Sequence, residues 1–450
     1  MSHLAFEIEW ESPEGARGAE LRATWAHLKV RVGDTVVTRV DSLASGSVRS
    51  GIYLPLYPIA EWIASNWWPL LHEIPSQRSA EGNDYNRRHN LRFGAEGFAF
   101  PDLTIYPEGK RVIIKWQPEI RPLCRVSFLE GGYAAIDREQ IESVLRGFVQ
   151  TVLDRLEDQG VKDTFLHQEW KAIAEAGDDE REFCRAVGCL GGDPYSPETD
   201  EYADALIALS NSIPAGVAEE FLIAADRENL AQQGSAIRNF ITGAEALNLD
   251  LEPVIDIRRR CAPMRDALWS AGSHATTPWG QGYEMARGLR QLLELPAGRT
   301  ASTPADIGAL FGLDPAQWDA AVSGPLTGLD FAIAALATTR NDAPRIAIKA
   351  NLDSGKVFAL CRALFEYLFA PEHAAALVTD ASSERQKRNR AFAAEFIAPA
   401  SGISQHIGGK LHVTGEEIGW MAAQFGTSEF VIRHQIQNQH IAEIQDASYA

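Results

Sequence analysis

Arg362 and Glu366 stand four residues apart in KVFALCRALFEYLF (356–369), a stretch whose apolar residues recur at helical spacing. Side chains at i and i+4 share one helix face. That spacing serves either an opposite-charge pair or, with suitable residue types, one side of a metal site. Arginine stays protonated and repels a cation. An ion pair is therefore the simpler expectation, contributing about 0.2–0.5 kcal/mol if exposed and becoming costly to break if buried.

Other residues with chemical potential are spread more widely. His373, His406, His412, His434 and His440 lie within one region, but none of their spacings is that of a ligand set, and surface or capping roles are the simpler reading. SERQKRNR (383–390) concentrates four basic residues at a helix start. It reads as a solvated face paired with Glu384 and Glu395, or as a patch for an anion or nucleic acid. IDIRRRC (255–261) is a further basic spot on a helix face. In EWIASNWWPL (61–70), Trp67 and Trp68 point to different faces, so one indole is expected to leave the core. Trp62, Trp67 and Trp68 are either packing residues or a protein-binding platform. NRRHN (86–90) has no partner acid placed by the sequence. No P-loop, GxGxxG, GxSxG or paired CxxC is present.

The elements that must position these groups suggest an α+β protein. Alternating or β-branched runs at 4–10, 21–32, 34–41, 98–106, 110–116 and 124–130 predict strands, and 56–73 predicts a Trp-rich helix, with 75–90 irregular. These make an N-terminal mixed-sheet domain, 1–134. A helical region, 135–270, follows, with helices at 137–160, 178–195, 198–214, 215–234 and 237–250. SAGSHATTPWGQG (270–282) is the linker candidate. Beyond it, a mostly helical domain with a small sheet occupies 278–445. Its helices are expected at 283–295, 304–313, 355–369, 383–398 and 415–440, and a strand at 344–350.

The 450 residues carry a net charge of −19, which disfavours nucleic acid and anionic membranes as partners. Cys124, Cys184, Cys189, Cys261 and Cys361 form no disulfide or zinc-knuckle pattern, so reduced thiols are expected. The acidic beginning of the chain predicts no signal peptide, and no apolar run is long enough to span a bilayer. A cytoplasmic location is expected.

Five further stretches carry a family resemblance. PWGQGYEMARGLRQLLEL (278–295) precedes the short IGALFGL, and RIAIKA runs ahead of FALCRALFEYLF. NRAFAAEFIAPA (389–400) and MAAQFGTSEFVIRHQIQNQHI (421–441) follow. Over 278–440 the chain resembles the ImmA/IrrE family of zinc metallopeptidases, whose members show patterns such as FALAHELGHYLF and AN-x-FAAELLMP at the corresponding places. The resemblance implies a zincin-like domain and lays the His-Glu-x-x-His motif on Arg362, Ala363 and Glu366. Ala363 takes the general-base position and Gln386 that of the third ligand, with Glu384 a residue or two out of register.

With those residue types the resemblance implies no zinc and no other cofactor. An Arg362–Glu366 salt bridge is expected in place of the metal, with a hydrogen bond from Gln386. It further implies a catalytically inactive, metallopeptidase-like regulator or scaffold that binds a protein partner, in the phage-defence, toxin–antitoxin or stress-response settings common to such families. An active hydrolase, with a displaced site or an activity in the N-terminal domain, is the alternative. A third is a DNA-binding regulator, because GEEIGWMAAQFGTSEFVIRHQI has a helix-turn-helix look, although its second helix offers only Arg433 and a few amides to a groove.

Overall fold

The computed structural model describes residues 3–12, 17–42, 46–75, 83–109, 111–119, 126–225, 227–242, 251–270, 277–298, 301–322, 333–340, 343–349, 353–370 and 375–445. They form a mixed α+β protein in two compact units, Met1–Ile207 and Ala208–Ala450. Cys124 and His373 lie outside the described residues. Among those described, no helix is long and apolar enough to cross a membrane.

Alternation sets the first sheet. In β2 (Trp25–Val32), Ala26, Leu28, Val30 and Val32 are buried and the residues between them only half-buried, as for a strand with one face on a core. It pairs antiparallel with β1 (Leu4–Trp10) and β3 (Ile52–Pro55). The expected helix at 56–73 is broken at Asn66, whose side-chain amide donates to the Trp62 carbonyl, giving α1 (Tyr57–Ser65) and α2 (Trp67–His72). Within the stretch read as irregular, residues 83–89 form α3 (Asn83–His89). The antiparallel strands β4 (Asp102–Glu108), β5 (Arg111–Gln117) and β6 (Gly132–Asp137) follow, with β5 central.

Helix α4 (Arg138–Asp158) buries Ile141, Leu145, Phe148, Val152 and Leu156 at three-and-four spacing. The Phe148 ring lies 4.5 Å from that of Phe6 on β1. The helices of 138–189 thus share the core of the sheets instead of opening a separate helical region. The expected boundaries at 134/135 and 270–278 do not coincide with the division into units, because this apolar face has to be covered locally.

The second unit is built around a three-stranded antiparallel sheet and the helices packed on it. Helix α5 (Ala215–Ala224) comes first, then helices Glu252–Arg260 and Ala262–Leu268. Of the linker candidate, 271–276 lie outside the described residues. Thr277 is already the N-cap of α6 (Pro278–Leu292), its hydroxyl accepting from the Gly280 amide. In the sheet, β7 (Ile333–Arg340) lies between β8 (Ala343–Ile348) and β9 (Ala375–Thr379). Between β8 and β9 the chain forms α7 (Asp353–Phe369), and after β9 it forms α8 (Glu384–Ile397).

Helices α6 and α8 approach closely at Gly282, where a Cβ would lie 2.2 Å from the Arg388 carbonyl oxygen and 2.9 Å from the Ala391 Cβ. Only a glycine leaves room for that contact. The expected 415–440 helix is two. A left-handed Gly426 and the N-cap Ser428 separate α9 (Gly415–Phe425) from α10 (Glu429–Asn438), in the manner of a helix C-terminus followed by a new start. Buried Glu395 of α8 fastens this tail. It accepts from Arg287 Nε at 2.9 Å, Gln435 Nε2 at 2.8 Å and Gln439 Nε2 at 2.7 Å.

Candidate polar site between two helices

Helix α7 is apolar on almost every side. Val357, Leu360, Cys361, Ala363, Leu364, Phe365 and Leu368 are all buried. Their packing carries Arg362 and Glu366 into the interior, where they are only 6% and 4% exposed, so each must find polar partners. The partners come from α8. Its N-cap Ser383 accepts the Gln386 amide at 3.3 Å, and Gln386 and Asn389, three residues apart on one face, both meet α7.

Arg362 donates from Nε to Asn389 Oδ1 at 2.8 Å and from Nη2 to Gln386 Oε1 at 2.7 Å and the Thr379 carbonyl at 2.6 Å. The Asn389 amide donates in turn to Glu366 Oε1 at 3.0 Å and to Gln386 Oε1 at 3.2 Å. The other carboxylate oxygen of Glu366 accepts from Arg385 Nε at 2.8 Å. The direct salt bridge expected between Arg362 and Glu366 is not formed. Asn389 stands between the two, and the cation paired with Glu366 comes from α8. The expected hydrogen bond between Arg362 and Gln386 is present.

Gln386 is fully used. Its Oε1 also accepts the Thr379 amide at 3.0 Å, and its Nε2 donates to Glu220 Oε2 at 2.8 Å and the Leu377 carbonyl at 2.9 Å. Glu220, from α5, also accepts from the Ser383 hydroxyl at 2.9 Å. Nothing in its surroundings in sequence marks it, since it lies 166 residues from Gln386.

Charge in this interior is tuned by burial first. Burial and nearby Arg390 pull the Arg362 guanidinium down to about 9, against the pull of Glu366, so it remains charged at neutral pH. Burial pushes the Glu220 carboxyl up, although Arg385 opposes this. Glu366 chiefly, with help from Glu220, holds Arg385 protonated more firmly than usual. Ala363, fully buried, contributes a methyl group and no base. A protonated guanidinium, an amide already accepting three hydrogen bonds and a single carboxylate do not suit a zinc ion. Among the described residues no three His, Cys, Asp or Glu side chains cluster as a metal site would require.

The basic run 383–390 is not the solvated face paired with Glu384 and Glu395. Arg385 serves Glu366, and Arg388 donates to Gln281 at 2.8 Å and lies 5.0 Å above the Trp269 ring. Arg390 donates to the Ala381 carbonyl at 2.5 Å, and Glu395 pairs with Arg287. In IDIRRRC the three arginines diverge. Arg258 stacks over Tyr367, Arg259 pairs with Glu252 and Arg260 reaches the Leu292 carbonyl.

The tryptophan platform is not formed either. Trp67 and Trp68 are both buried, and Trp67 meets Trp170 edge-on at 5.1 Å with Arg146 over both rings. The two indoles leave α2 on different faces, and both faces are covered, Trp67 by Trp170 and Trp68 by the helix segment at Gly188. Trp62 is half-buried and donates to the Arg87 carbonyl. Arg433 is half-buried on α10. His406 packs against Trp420 and Phe425, His412 faces Glu443 and His434 lies on Phe430.

NRRHN does acquire a partner acid. Glu73 accepts from Arg88 at 2.6 and 2.8 Å, and His89 Nε2 lies 3.1 Å from the same carboxylate. Burial opposes charge on Glu73, yet the hydrogen bonds from Arg88 and His89 hold its carboxyl below the usual range. Fully buried, with its Nδ1 on the Ile105 carbonyl at 2.7 Å, His89 is placed to support the fold of the first unit and has no opening to a substrate. Comparison of the chain with protein-family models, with curated proteins and with solved structures finds no match.

Proposed function

We propose that the chain is a metallopeptidase-like protein without peptidase chemistry, acting as a regulator or scaffold through a protein partner. The observation that carries this reading is the convergence of Arg362, Glu366 and Gln386. These are the three positions that the ImmA/IrrE resemblance would place around a zinc ion. Here they meet in one hydrogen-bonded network centred on Asn389, with an alanine in place of the base.

A water-activating site needs a bound electrophile or a poised base next to open space. This network offers instead a saturated set of hydrogen bonds, a pattern suited to holding two helices in register. The chemistry has been exchanged for rigidity, and the surface around the network is what remains for a partner. Incubation of the purified protein with zinc and an unstructured protein substrate such as casein tests the reading. It predicts no cleavage above a no-protein control. Zinc-dependent cleavage abolished by Glu366→Ala would overturn it.

A further inference from the structure

A cavity of about 280 Å³ opens beside the network, and its charged walls are Glu366, Arg385 and Arg388. Two guanidiniums thus face one carboxylate, and both oxygens of that carboxylate already have partners in Arg385 and Asn389. Arg388 is more than nine-tenths buried (8% exposed), yet only its Nε makes a hydrogen bond, to Gln281. Among the described residues its terminal nitrogens have no protein acceptor. The guanidinium carbon lies 5.0 Å from the centroid of the Trp269 ring, which is itself fixed by its Nε1 donating to the Phe369 carbonyl at 2.7 Å. Arg388 lines the cavity, so an anion there can replace solvent as the acceptor with charge-assisted hydrogen bonds.

Among the described residues the rest of the wall is apolar, including Val217 and Phe365. The volume lies just under the roughly 300–1,000 Å³ of ordinary small-molecule pockets, small for a nucleotide. From these features we infer that the cavity takes a carboxylate carried on an apolar peptide segment, bound by the Arg388 fork above Trp269. The carboxylate is either a chain terminus or an acidic side chain. The inference rests on the protein-partner reading above and names the chemistry of that partner.

Guanidinium and carboxylate match as a two-pronged pair, and the Trp269 ring helps to hold the guanidinium in place through a cation–π contact. Calorimetry with the intact protein tests this using three peptides: acetyl-Ala-Ala-Leu-Phe with a free carboxylate, the same peptide as its amide, and acetyl-Ala-Glu-Leu-Ala amide. Binding by the first or the third, at least about tenfold tighter than by the uncharged amide, supports the inference and identifies the source of the carboxylate. Arg388→Gln should weaken that binding by about tenfold or more, and Arg388→Lys by less. Should Arg388→Gln fail to fold, Trp269→Ala, which removes a 44% exposed ring, should still weaken it.

Equal affinity for acid and amide, or no effect of either variant, would sink the inference. So would inorganic phosphate binding as tightly as the acidic peptides, which would make the cavity a small-anion site. Failure here with no zinc-dependent cleavage leaves the function proposed above standing, whereas zinc-dependent cleavage removes that function whatever the peptides do.

Discussion

Asn389 accepts from Arg362 Nε at 2.8 Å and donates to Glu366 Oε1 at 3.0 Å, so an amide on one helix joins two charges on another. Neutral Asn389 satisfies both at once, which neither a carboxylate nor an ammonium could do. Arg362→Ala strands Asn389 Oδ1 in the interior and takes a donor from Gln386 Oε1 and the Thr379 carbonyl. It should destabilise the second unit by about 3–5 kcal/mol, the usual penalty for removing one member of a buried charged network. Urea unfolding followed by circular dichroism would measure this. A change below about 1 kcal/mol would mean that the network is slack.

Asn389→Asp tests the amide itself. The new carboxylate would still accept from Arg362 but would face Glu366 as a like charge with no donor between them. A loss of about 1–3 kcal/mol is expected, and part of it should return in Asn389→Asp/Glu366→Gln. Absence of coupling in that double-mutant cycle would count against the bridging role.

Gly282 sets the spacing of α6 and α8. A methyl group there meets the Arg388 carbonyl, which is backbone and cannot swing aside. Gly282→Ala should cost about 1–3 kcal/mol through overpacking, and should disturb the Gln281–Arg388 hydrogen bond beside it. The check is the denaturation midpoint together with the peptide affinity of the variant.

In the first unit, His72 governs a pH window. Burial, with Arg138 and Arg185 nearby, pulls its imidazole down to about 3. Unfolded, the same group titrates near 6.5. Between those values the unfolded chain binds a proton that the folded chain refuses, so stability should fall as pH drops from about 6.5 toward 3. Glu73 acts lower. Its depressed carboxyl stabilises the fold above the unfolded value of about 4.3 and loses that contribution as pH falls through its folded value. His72→Phe should therefore flatten the urea midpoint between pH 7 and 5, and Glu73→Gln should leave that slope alone. Tryptophan fluorescence reports it, since seven of the eleven tryptophans lie in Met1–Ile207.

The helical period made α7 and α8 legible in the sequence, along with the shared face of Arg362 and Glu366, whereas the meeting of Arg362 with Gln386 followed from the resemblance alone. The actual partner of Glu366 was not legible, because the i,i+4 rule sees only one helix while Arg385 arrives from the next. Glu73 and His89 meet for the same reason, through tertiary packing across 16 residues. The burial of both Trp67 and Trp68 depends on later segments, at Trp170 and Gly188, that cover both faces of α2, and periodicity within one segment does not register them. Helix 138–158 was found in place, but the core that it joins was not, since an apolar face does not say which sheet will cover it.

The central claim is that a charged hydrogen-bond network occupies the place of a metal. Elemental analysis of protein purified without chelators, before and after Glu366→Ala, tests it most directly. The account predicts well under one zinc per chain, unchanged by the substitution. One zinc per chain, lost in Glu366→Ala, would contradict it.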